Sequence, residues 1–105
     1  MVEKDIIFGN KLNKKYMASK FQTKTKKHYE ANGWIVINTI KLSVSGYPDL
    51  FLFKNGKTIF IECKEGNDTL KPLQEYRIDE LIKQGFEAFC LHATKGKIYP
   101  HDREI

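Results

Sequence analysis

The chain has 105 residues, 41% of them hydrophobic and 30% charged, which excludes a disordered chain, a collagen-like repeat and a disulfide scaffold and leaves room for one domain. Its longest apolar runs, Leu50–Phe53 and Ile59–Ile61, fall far short of the ~20 residues of a membrane span, and with two cysteines and no basic-then-apolar opening the expected setting is reduced cytoplasm. Formal net charge is +5, and residues 1–27 hold eight lysines against Glu3 and Asp5; such a patch is either a solvated face or a binder of phosphate backbones or anionic membranes.

In chain order, residues 1–16 are poorly patterned and read as a basic arm. A helix is predicted from Met17 to Asn32, closed by Gly33. On it Met17, Ala18, Phe21, Thr25, His28 and Tyr29 share a packing face with Gln22 at its edge, while Lys20, Lys24 and Lys27 stand opposite. Trp34 to Ile40 reads as a strand, and a polar connection follows from Lys41 to Tyr47. Leu50–Lys54 and Lys57–Ile61 flank Asn55-Gly56, the preferred pair of a type I′ hairpin turn. Past a polar loop at Glu65–Thr69, Pro72 suits the start of a second helix and Gly85 its end. Phe86–His92 is a further strand, with another around Lys97–Tyr99. Helix, strand, hairpin, helix, strand is the order of an α/β fold in which helices flank a mixed sheet.

The hairpin fixes a register. Lys54 faces Lys57 and Leu50 faces Ile61, so Asp49 faces Glu62 with Cβ atoms about 4.5–5.5 Å apart. Alternation adds Lys64 to the face of Glu62. Two opposed carboxylates among Leu50, Phe51, Phe60 and Ile61 repel one another unless something pairs with them. A divalent cation resolves the conflict, since Mg²⁺ is held by one or two carboxylates with waters and phosphate oxygens; the plainer reading is that Lys64 neutralises Glu62 and Asp49 stays in solvent. On the second helix Gln74, Ile78, Leu81 and Ile82 form a buried stripe whose polar end, Gln74, either caps local backbone or contacts the site.

Gly46-Tyr47-Pro48-Asp49-Leu50 followed by Phe60-Ile61-Glu62-Cys63-Lys64 resembles the PD-(D/E)xK nuclease motif. With the hairpin, the helical glutamine and the glycine before the last strand, the stretch from about Ser19 to Ala93 resembles the VRR-NUC (virus-type replication-repair nuclease) branch, in particular its small phage and prophage members. The resemblance implies a restriction-endonuclease-like core and a Mg²⁺- or Mn²⁺-dependent phosphodiesterase. Asp49 and Glu62 would be the metal carboxylates, the Cys63 backbone carbonyl a further ligand, and Lys64 the group that orients water or offsets phosphate charge. Gln74 matches the family's glutamine on the second core helix. Many members also carry an acid on the first helix; Ser19-Lys20-Phe21-Gln22 has none, which makes one-metal catalysis the reading, and Gln22 resembles a glutamine also common there.

The expectation is thus a DNA endonuclease, dimeric and suited to branched or four-way-junction DNA, with Lys20, Lys24, Lys27 and Lys41 as backbone-binding candidates. The alternative is a DNA-binding module whose inherited site no longer cuts. His28, His92 and His101 lack zinc-ligand spacing, and Cys63 and Cys90 fall in core strands as small hydrophobes.

Overall fold

The computed structural model describes residues 19–39 and 42–101. Helix α1 (Lys20–Ala31) begins later than the predicted Met17 because Ser19 is extended (φ −65°, ψ 164°) and its Oγ accepts the Gln22 amide at 3.0 Å. That cap satisfies an orphan N–H of the first turn and sets the start. Gly33 (φ 91°) then turns the chain, its amide donating to Glu30 O at 3.0 Å and that of Trp34 to Tyr29 O at 3.1 Å.

The strands are β1 (Ile35–Asn38), β2 (Leu50–Lys54), β3 (Lys57–Lys64), β4 (Glu87–His92) and β5 (Gly96–Tyr99), adjacent in that order. Only β3 and β4 pair in parallel. Helix α2 (Pro72–Lys83) supplies the crossover such a pair requires. The fold is therefore the predicted mixed sheet flanked by helices, with β5 added at one edge. Asn55 (φ 48°) and Gly56 (φ 79°) both take the positive φ of a type I′ turn, and the predicted register runs from Lys54–Lys57 to Leu50–Ile61.

Alternation along the strands divides the core between two faces. One packs Val36, Leu50, Leu52, Ile59, Ile61, Cys63 and Phe89 beneath Phe21 and Tyr29 of α1. The other packs Phe60, Ala88 and Cys90 against Ile78 of α2. Leu50 and Leu52 are fully buried, and truncating either to alanine should cost about 2–5 kcal/mol. Two packing expectations are corrected. His28 is exposed, because the buried centre of α1 is Thr25 and His28 lies on its flank, on the rim of a surface groove. Ile82 is also exposed, since it sits in the last turn of α2 beside a surface depression shared with Tyr76 and Pro100. Because α2 covers the β3–β5 half of its face, Ile35 and Ile37 on β1 remain open, at 65% and 49% exposure.

Candidate active site

The approach to the site is held against α2. Gly46 has φ 89°, and a Cβ there would stand 2.6 Å from Leu73 Cγ, so only glycine lets the loop pass the helix. Tyr47 Oη donates to Glu80 Oε1 at 2.7 Å, and Arg77 lies 4.6 Å over the Tyr47 ring while its Nε donates to Ser45 O. Pro48 is fully buried, and its carbonyl accepts Thr39 Oγ1 at 2.6 Å. These contacts deliver Asp49 to the mouth of the hairpin, one residue before the first ladder pair of β2 and β3.

There its Oδ2 accepts the Cys63 backbone N–H at 3.0 Å. A strand residue presents its N–H and C=O to the same edge, so the Cys63 carbonyl faces the Asp49 side as well. Glu62 and Lys64 project from β3 toward the α2 face, 3% and 4% exposed. Lys64 Nζ is 3.4 Å from Glu62 Oε2. Gln74 does both things left open for it: its Oε1 accepts Lys71 N at 2.9 Å, and its Nε2 donates to Glu62 Oε2 at 3.1 Å. Asp49, Glu62, Cys63, Lys64 and Gln74 are therefore one cluster.

Burial, and after it the Asp49 charge, push Glu62 up to about 7, with Lys64 pulling the other way. Burial raises Asp49 too, against the Cys63 amide and Lys64. Both thiols are driven up to about 12, chiefly by burial, which removes Cys63 and Cys90 as nucleophiles at neutral pH. The two carboxylates thus sit where one ammonium and one backbone amide only partly offset their burial. Glu62 Oε1 is, with Asn38 Oδ1, one of two buried side-chain oxygens lacking a hydrogen-bond partner among the described residues. Among those residues no three acidic, histidine or cysteine side chains form a ready metal cage. Two carboxylates and a carbonyl still fit a hard cation that keeps several waters, as Mg²⁺ does.

The VRR-NUC domain model matches residues 10–95 of the sequence. The chain belongs to the VRR-NUC family. A solved VRR-NUC domain is similar at 29% identity and a TM-score of 0.60, over 68% of this chain and 78% of that one. The Archaeoglobus fulgidus Hjc, a Holliday junction resolvase, shares the fold at 17% identity and a TM-score of 0.57, over 71% of this chain and 67% of that one. No curated protein sequence matches the chain.

The other candidates of this VRR-NUC domain lie outside the cluster. Lys20 and Lys24 line a surface groove with Phe21, Thr25, His28 and Tyr29, closed by Glu65, Leu91 and Ala93, while Lys27 is exposed on the solvent side. Gln22 is half-buried, and its side chain makes no hydrogen bond among the described residues; Lys41 and the basic arm of residues 1–16 lie outside them. Sequence reasoning missed Asp68, whose Oδ2 is 3.4 Å from Lys64 Nζ. It also left unused His92, which is 3% exposed with Nε2 2.9 Å from Gly66 O. Neither offered a local signal: Asp68 lies in the loop after β3, where a spacing of four residues does not imply a contact as it would on a helix, and His92 is distant in sequence.

Proposed function

We propose that this domain is a Mg²⁺- or Mn²⁺-dependent endonuclease that hydrolyses phosphodiester bonds in DNA. The observation that carries the reading is Glu62: a carboxylate 3% exposed, with Asp49 close enough to raise its pKa and one oxygen left without a hydrogen-bond partner among the described residues. That arrangement is costly unless a cation completes it. Family membership is in keeping with the chemistry.

Asp49, Glu62 and the Cys63 carbonyl would hold the cation, which when bound lowers the pKa of its water and offsets charge on the reacting phosphate. Gln74 donates to Glu62 Oε2, and Oε1, which has no hydrogen-bond partner among the described residues, would be the oxygen that ligates. Lys64 presents its ammonium beside the carboxylates, where it donates to the attacking water or to a phosphate oxygen and offsets charge that grows as the water oxygen bonds to phosphorus and the sugar oxygen leaves. Lys20 and Lys24, which line a groove with Glu65 and Ala93, would in this reading bind the backbone of the same strand.

The preferred substrate in this proposal is a four-way junction cut by two copies of the chain, in line with the resolvase that shares the fold and with the open apolar face of β1. The test is incubation with labelled linear, flapped and four-way-junction DNA in Mg²⁺, Mn²⁺ or EDTA, beside Asp49→Ala and Lys64→Ala. Metal-dependent cutting, abolished in both variants and paired across the junction, is the expected result. Salt-sensitive binding with no cutting in either metal would instead support a binding module that keeps the nuclease fold, a reading favoured by the absence of acid in the first turn of α1.

A further inference from the structure

Lys64 is held from two sides, by Glu62 Oε2 and Asp68 Oδ2, each 3.4 Å from its Nζ. A flexible four-carbon stem makes an ammonium useful in catalysis only when its partners are fixed. Glu62 is fixed by β3 and Gln74. Asp68 is on the loop between β3 and α2, half exposed; its Oδ1 has an exposed ion pair with Lys71 at 3.6 Å, and among the described residues its own backbone makes a single turn contact, to Glu65 O at 3.2 Å.

His92 supplies what that loop lacks. It ends β4 opposite Lys64 in the parallel register, and the next amide, that of Ala93, donates to Lys64 O at 2.9 Å. Its Nδ1 faces two backbone donors, Thr94 N at 3.2 Å and Lys95 N at 3.3 Å. An imidazole nitrogen facing two N–H groups must accept, so this network assigns the ring proton to Nε2, which donates to Gly66 O at 2.9 Å. Gly66 itself has φ 61°, a conformation that leads the chain directly into the turn bearing Asp68.

We propose that His92 is a positioning residue for Lys64: its Nε2–H ties down Gly66, the tied loop presents Asp68, and Asp68 holds the ammonium in line with the Glu62 side of the site. This rests on the reading of Lys64 as a catalytic residue. The ring has two separable jobs. His92→Asn keeps an acceptor near Nδ1 for the β4–β5 turn but has no atom that reaches Gly66, whereas His92→Gln places an N–H near Nε2 and gives up the turn contacts.

The experiment is single-turnover cleavage with DNA titration for both variants and for Asp68→Ala, together with melting temperature and amide exchange at residues 66–68. His92→Asn is expected to cut about 10–100-fold more slowly with unchanged DNA and Mn²⁺ affinity and faster exchange in the loop, as loss of an outer partner typically does. Asp68→Ala should show the same rate loss, and His92→Gln should restore most of it. A role confined to the turn predicts the reverse order, and that order overturns the proposal, as does wild-type cutting by Asp68→Ala, a variant at an exposed loop position that folds even if His92→Asn does not. Should the wild-type protein fail to cut, the nuclease reading falls by itself; unchanged exchange in His92→Asn would then remove the tether as well.

Discussion

A carboxylate with a raised pKa destabilises the fold that raises it. Glu62 titrates near 4.5 when free and about 7 here, mainly through burial and then through Asp49. Between those values the folded chain binds more protons than the unfolded one, so stability falls as pH rises through the window and stays lower above it. Asp49, shifted in the same direction, adds to the effect. Metal-free protein should therefore lose melting temperature from pH 5 to pH 8 relative to Glu62→Gln, a difference calorimetry reads directly. Because metal must displace that proton, added Mn²⁺ should raise the melting temperature more at pH 8 than at pH 5. The nearness of Asp49, Glu62 and Lys64 was legible in the sequence because a two-residue turn sets the register as far as Leu50–Ile61 and alternation extends it past the ladder. Gln74 was legible as the polar member of an apolar stripe. His92 was not, since its separation of 26 positions from Gly66 is closed only by the parallel pairing of β3 and β4.

At the scale of elements, the loop from Ser45 to Asp49 and helix α2 position the site together. Gly46→Ala would force a Cβ to 2.6 Å from Leu73 Cγ at φ 89°. Strain and overpacking together should cost about 2–4 kcal/mol, measurable by urea unfolding, and displace Asp49 from the Cys63 amide. Gly85→Ala, at φ 95° but with nothing within 4 Å of its Cβ, should cost less, and the gap between the two reports the packing of the loop on α2. The hairpin and α2 could be read from local signals, Asn55-Gly56 and Pro72. The start of α1 could have been too: Ser19 and Gln22 have the spacing of a capping box, a signal stronger than the apolar Met17 and Ala18 that extended the prediction. The exposure of His28 and Ile82 depends on how far the sheet reaches beneath each helix, which no periodicity reports.

For the whole molecule, charge and shape bear on how a nucleic acid would approach. A domain with a net charge of +5 that binds phosphates releases counterions, so DNA affinity should fall linearly on a log–log plot against salt. Lys20→Ala and Lys24→Ala, at the groove beside Glu65 and Ala93, should each lower that slope by about 1 without changing sequence preference. Fluorescence anisotropy across a salt series checks this, and an unchanged slope would move the backbone contact elsewhere. Net basicity was plain in the sequence, whereas the groove depends on the fold bringing Glu65, Leu91 and Ala93 beside α1.

The measurement that bears most directly on the site is single-turnover cleavage of a labelled four-way junction in Mn²⁺ by wild-type protein and by Glu62→Gln, with folding of both verified by melting. A group that holds the catalytic cation should be worth about 10²–10³-fold in rate. A loss of that size is expected in a variant no less stable than wild type at pH 8. Equal cutting by the two proteins would contradict it.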